Sequence, residues 1–208
     1  MTDKPILYHM PQTRGGTTLW MDEELGGVCE IKLINLRKGE GRTPAFLKIN
    51  PMGKLPALQH KGAAVTEAAA ICAYLADAFP EKRLAPATSD PGRGVYYRWM
   101  FFAPSCIEPM MLDRLGKVAR ENTTAAGHGD YERVMFSIDQ ALSNGPWILG
   151  GQFSAADVVM GSTLNFATMF GAVPKEGRIK DYVERVTARP AFHVMMKKSA
   201  EQAKALGL

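Results

Sequence analysis

Strand-forming segments are confined to about the first eighty residues of this chain, and beyond Gly94 every apolar run has helical spacing. Strands must hydrogen bond to one another, so the early ones have to pair within a small N-terminal sheet, and the later helices have to build a core of their own. Ile6–His9 reads as a short strand, 11–16 as a turn, and 17–25 as a helix stopped by Gly26 and Gly27. A second strand is expected over 28–36, followed by a loop with a short helix over 38–49. Segments 55–59 and 64–65 fit a hairpin around Lys61-Gly62, and 67–79 fits a helix with Ile71, Leu75 and Phe79 on one face. The order βαβ then ββα is a thioredoxin-like pattern.

Three prolines, several charges and little apolar content mark 80–94 as a linker. Helices follow over 96–119, 131–142, 155–170, 178–188 and 192–206, and Pro104 and Pro109 are expected to bend the first of them. The expected fold class is an α/β thioredoxin-like N-terminal domain (1–80), a linker (81–93) and an all-α C-terminal helical bundle (94–208). Ser154 and Asp157, three apart before an apolar helical run, form a capping box with Asp in place of the usual Glu.

With 208 residues and 46% hydrophobic content the chain can bury two cores. Its net charge of +4 is spread without a run of like charge, which argues against nucleic acid as a partner. No apolar stretch approaches the length that spans a bilayer, and Met1 to Pro5 lacks the start of a secretion signal, so a cytoplasmic protein without a membrane partner is expected. Cys29, Cys72 and Cys106 are odd in number and widely separated, which suits neither a disulfide framework nor a CxxC pair, and Cys29 and Cys72 read as core packing. His9, His60, His128 and His193 have no metal-like spacing; no metal and no role are assigned to them.

Four segments together resemble the cytosolic, bacterial-type glutathione S-transferase family over nearly the whole chain. They are Leu7-Tyr8-His9-Met10-Pro11 leading to Leu19-Trp20 and Glu23-Glu24-Leu25-Gly26; Asn50 to Leu58; Thr66 to Leu75; and Phe153-Ser154-Ala155-Ala156-Asp157. The resemblance implies glutathione as co-substrate. It implies a cis Leu55-Pro56 bond that turns the Leu55 backbone toward the peptide of glutathione. It also implies that the first turn of the helix after Thr66, read as its N-cap, meets the γ-glutamyl carboxylate at Glu67 and Ala68. Glu67 would face the ligand's ammonium, and Lys54 would offer a cation to a carboxylate. Relatives usually carry a hydroxyl where Ala68 stands; its loss corresponds to about 1 kcal/mol of weaker binding.

A free thiol titrates near pH 8.5, and the thiolate is the nucleophile, so lowering that pKa by about two units takes about 2.7 kcal/mol of preferential stabilisation. The resemblance puts Thr13 where serine-type members have their activating hydroxyl, with Arg14 adding positive potential; the plainer alternative is a turn threonine bonded to its own backbone. Tyr8 falls near the catalytic phenol of tyrosine-type members and is the second candidate. No cysteine occupies this turn. Met10, Phe102, Cys106 and Met110 are the candidates for a hydrophobic co-substrate, the last three recurring at i, i+4, i+8; bundle core is the alternative for that stripe. The expected activity is attack of glutathione thiolate on a largely apolar electrophile, a detoxification chemistry, by a homodimer. A glutathione-dependent peroxidase or disulfide reductase, and a non-catalytic binding protein, are the rivals.

Overall fold

The computed structural model describes residues 4–208. Met1, Thr2 and Asp3, used in the secretion-signal reading, lie outside the described residues. The chain divides into two compact units, Met1–Lys82 with Arg189–Leu208, and Arg83–Ala188.

The first unit runs β1 (Ile6–His9), α1 (Gly15–Leu25), β2 (Glu30–Leu33), α2 (Pro44–Leu47), β3 (Ala57–His60), β4 (Ala63–Thr66) and α3 (Ala68–Ala78). The sheet order is β2-β1-β3-β4, with β1 parallel to β2 and antiparallel to β3, and β3 antiparallel to β4. This is the thioredoxin-like arrangement expected from the sequence. The β3–β4 loop is Lys61-Gly62, at φ of 50° and 83°, the pair of left-handed residues that a two-residue hairpin with native twist requires. Helix α1 starts two residues before the expected Thr17, because Thr13 supplies acceptors for its first amides: Gly15 N donates to Thr13 Oγ1 at 3.1 Å and Gly16 N to Thr13 O at 3.1 Å. Strand β2 is shorter than 28–36, since the chain turns into 3₁₀ geometry at Leu36, where Asn35 caps the turn through its side chain.

Alternation along β1 sends its side chains to two different layers. Tyr8 and Met10 join Phe46, Leu55 and Ala57 in one buried cluster, against which Leu206 and Leu208 pack. His9 points to the other face, fully buried, with its ring against Gly15. Burial lowers its pKa from 6.5 to about 4, against the opposing influence of the Gly15 backbone and the Gln202 side chain.

The last helix, α9 (Pro190–Leu206), packs on α1 and belongs with this unit. Arg189 makes a bidentate pair to Glu24 (2.7 Å for both bonds), Lys198 reaches Glu23 at 2.5 Å, and Trp20 meets Phe192 edge-on. Glu24 Oε1 also accepts from Trp20 Nε1 at 2.9 Å. The carboxylates of Glu23 and Glu24 are nearly buried, the setting in which ion pairs with good geometry hold helices in register.

The second unit is helical: α4 (Gly92–Phe102), a π-helical turn at Ala103–Ile107, α5 (Glu108–Leu115), α6 (Tyr131–Leu142), α7 (Ala155–Met169) and α8 (Gly177–Thr187). Among the described residues its only extended pairing is an isolated bridge between Trp147 and Gly150. Residues 83–91, expected as linker, are tied to this unit: Leu84 O accepts from Ala155 N at 2.7 Å and Pro86 O from Arg93 Nη1 at 2.7 Å.

Helix α7 is the axis of this core, buried without interruption from Ala155 to Leu164. At Gly161 a Cβ would lie 2.9 Å from Val186, so the close approach of α8 needs glycine there. The capping box is present at the start of α7. Asp157 Oδ2 accepts from Ser154 N (2.9 Å) and Oγ (3.3 Å), while Oδ1 accepts from Ile148 N (2.7 Å) and Tyr182 Oη (3.0 Å). One carboxylate thus ties the 148 segment, the cap and α8 together; burial raises its pKa to about 6 against the pull of these donors.

Two stability measurements test these contacts. Asp157→Ala orphans buried donors on three segments and should cost more than about 3 kcal/mol in urea unfolding, whereas Ser154→Ala, which removes one cap, should cost about 1 kcal/mol. A histidine with a depressed folded pKa contributes stability that is complete above 6.5 and lost as pH falls through 4, so His9 should withdraw about 3 kcal/mol over that window. Asp157, with its raised pKa, acts with the opposite sign between its ordinary 3.8 and about 6. The contribution of His9 is therefore read as the difference between wild type and His9→Leu; superimposable pH profiles would refute it.

Candidate active site

The turn from β1 into α1 gathers the candidates for thiol activation. Gln12, at φ of 61°, reverses the chain after Pro11, and Thr13 follows with its side chain half-buried. Thr13 Oγ1 donates to Met10 O at 2.7 Å and accepts from Gly15 N, the backbone-bonded threonine that was the plainer sequence alternative. That geometry anchors the oxygen at the positive end of α1. Arg14 occupies the N-cap position without capping the helix through its side chain and is half-buried. Gly15 is required where it stands, since a Cβ there would lie 2.6 Å from His9 Nδ1 and 3.1 Å from Thr13 Oγ1.

Tyr8 is only 7% exposed; its ring meets Phe46 edge-on, and its hydroxyl donates to Gln59 Oε1 at 2.6 Å on the adjacent strand. Met10 is buried in the same cluster, its sulfur accepting from Leu36 N at 3.3 Å, so it forms the floor of the turn. Leu55 shares that cluster, and the Leu55-Pro56 bond is cis, as the resemblance implied. The preceding loop is fixed by buried Asn50, which donates to Lys54 O at 2.7 Å and accepts from Met52 N at 3.0 Å; the Lys54 side chain is exposed.

At α3 the sequence expectation needs correction. Thr66 ends β4, and the N-cap is Glu67, at φ 67° and ψ 124°, with no capping bond from its side chain. The hairpin register takes Thr66 into a pair with Ala57, which leaves the reversal to Glu67. A glutamate in that region is strained by about 1–3 kcal/mol, the kind of local cost that collects at ligand sites. The first turn of α3, including half-buried Ala68, therefore presents its amides without a capping side chain.

The second-unit candidates differ in burial. Pro104 lacks the amide that would continue α4, and between Phe102 and Met110 the chain passes through the π turn, in which each residue rotates the helix less than in α geometry. Phe102 and Cys106 are half-buried, while Met110 is 2% exposed beside buried Ile107 and Met111. Met110 also lines an open cleft of about 420 Å³ in which Asp113 accepts from Arg120 Nη2 at 2.8 Å and pairs with His128 Nε2 at 3.0 Å. Burial raises the thiols of Cys29 and Cys72, which are buried as expected, so neither is poised as a nucleophile.

Three partners escaped sequence reading. Gln59 accepts the hydrogen bond of the Tyr8 hydroxyl, Glu24 joins α1 to α9, and His9, to which no role was assigned, lies directly under Gly15. Glu24 fell inside a quoted motif, but its partner is 165 positions away, and no local spacing signals that.

The family model described as "Glutathione S-transferase, N-terminal domain" matches residues 4–77. A maleylacetoacetate isomerase from Pseudomonas aeruginosa is 30% identical over 164 residues, covering 74% of this chain and 76% of that protein. Glutathione S-transferase theta-1 of Rattus norvegicus is also 30% identical, with 72% and 67% covered. Among solved structures, a glutathione transferase from Methylococcus capsulatus superimposes with a TM-score of 0.79 at 28% identity, covering 95% of this chain and 99% of that one. The relatedness of both halves and the thioredoxin-like sheet with its cis proline agree, and the chain belongs to the glutathione S-transferase family.

Proposed function

We propose that this transferase activates the glutathione thiol through Thr13 and the positive end of α1, for attack on an electrophilic, largely apolar co-substrate. The observation that carries the reading is the Thr13 hydroxyl, half-buried at the start of α1 with its oxygen held by Gly15 N. It donates to Met10 O, a neutral bond worth about 0.5–1.5 kcal/mol, whereas a bond to a charged acceptor is worth about 1.5–3 kcal/mol. A thiolate therefore outcompetes the carbonyl. The same exchange is closed to Tyr8, whose hydroxyl is tied to Gln59 inside the cluster at 7% exposure.

Glutathione's γ-glutamyl carboxylate is assigned to the uncapped first turn of α3 at Glu67 and Ala68, its peptide to the Leu55 backbone beside Pro56, and Lys54 and Arg14 to its charged periphery. Phe102 and Cys106 are assigned to the co-substrate, with Met10 and Met110 lying beneath the surface as support. The protein is taken to work as a cytoplasmic homodimer in detoxification, as membership of the family suggests; no helix among the described residues is long and apolar enough to cross a membrane.

Calorimetric titration with glutathione, paired with ultraviolet difference spectra of bound thiolate at neutral pH, tests the assignment. Thr13→Ala should abolish most of the thiolate band and lower kcat/KM for an activated aryl halide about 10–100-fold. Tyr8→Phe should keep the band and lose only about 1 kcal/mol of stability. Retention of the band in Thr13→Ala would reject the hydroxyl mechanism, and faster turnover of a hydroperoxide than of the aryl halide would favour the peroxidase alternative. Glu67→Gly should relieve the left-handed strain, raising stability by about 1 kcal/mol while weakening glutathione binding; equal affinity would remove Glu67 from the site.

A further inference from the structure

His9 Nδ1, His9 Nε2 and Gln202 Oε1 are all buried and none makes a hydrogen bond of full geometry, although the Gly15 backbone and the Gln202 side chain, the latter from α9, lie close enough to act on the ring. Unsatisfied buried polar atoms cost stability and are few in native proteins, so several in one place call for a reason other than packing, which a leucine would serve better. Their location supplies one. His9 Nδ1 and Thr13 Oγ1 converge on the same side of Gly15, within 2.6 Å and 3.1 Å of where its Cβ would be, and Gly15 N holds the Thr13 oxygen. The ring is neutral at working pH because burial depresses its pKa, so it has one N–H to donate and one nitrogen to accept.

We propose that His9, backed by Gln202, is a positioning residue for the thiol-activating turn. Its ring sets the height of Gly15 against β1. The one N–H of the neutral imidazole donates to Gln202 Oε1 as the turn tightens around the thiolate, so that formation of this bond favours the charged sulfur over the neutral thiol. Gln202 extends this control to α9, which the Glu24–Arg189 and Glu23–Lys198 pairs hold on α1. The inference rests on the assignment of Thr13 as activating hydroxyl.

The test compares His9→Leu, Gln202→Leu and the double variant by the pH titration of the bound-glutathione thiolate band, by kcat and KM with an activated aryl halide, and by thermal unfolding at neutral pH. The proposal expects the apparent pKa of the bound thiol to rise by about one unit in each single variant, a tenfold loss of thiolate at a pH well below it, with kcat falling in step. KM for the aryl halide should be unchanged, and the melting temperature equal or higher. The double variant should be no worse than the singles, since the pair acts as one unit, and His9→Asn should restore part of the loss. An unshifted thiolate titration in both single variants, or an activity loss that only tracks lost stability, overturns the proposal. If Thr13→Ala abolishes the band while His9→Leu leaves it unmoved, this inference alone fails. If neither substitution moves it, the assignment of Thr13 fails as well.

Discussion

The approach of His9 to Gly15 is the contact on which the first unit turns. A side chain at residue 15 would collide with the imidazole at 2.6 Å, so glycine there lets α1 begin directly over the end of β1. With α1 at that height, the Gly15 amide meets Thr13 Oγ1, and the threonine oxygen is fixed at the helix's positive end. Pulling α1 away from the sheet would separate the hydroxyl, the dipole and the cluster below Met10 together. Helix α9 packs on α1 as well, where Glu23 and Glu24 receive Lys198 and Arg189.

The second unit depends in a comparable way on one buried carboxylate. Asp157 caps α7 and also accepts from Ile148 and Tyr182, so helix initiation and the packing of α8 share one group. Its sequence signature was visible because a capping box is local, two residues three apart. The additional donors lie 9 and 25 positions away, and only the fold brings them in.

The two hydroxyls offered for catalysis illustrate the same division. Both were identifiable by position relative to the strand and the proline, and the resemblance put Thr13 first and Tyr8 second. What surrounds each was not legible there: Gln59 and Phe46 enclose Tyr8, while Thr13 remains half-buried on a turn. Cys29 and Cys72, read as packing from their isolation in sequence, are in fact enclosed, with thiols held protonated by burial.

What the sequence determined by itself was local or periodic. The strand-to-helix asymmetry, the Lys61-Gly62 hairpin, the Gly26 stop and the Ser154–Asp157 box each follow from steric or hydrogen-bond rules acting over a few residues, and all appear in the structure. Tertiary structure decided what depended on distant partners or on competition between elements. The reversal moved from Thr66 to Glu67 because strand pairing claimed Thr66, and the run from Phe102 to Met110 carries a π turn where Pro104 has no amide to continue the helix. His9 was drawn under Gly15 by the docking of α1 and α9, and a contact among three elements has no period along the chain from which to be read.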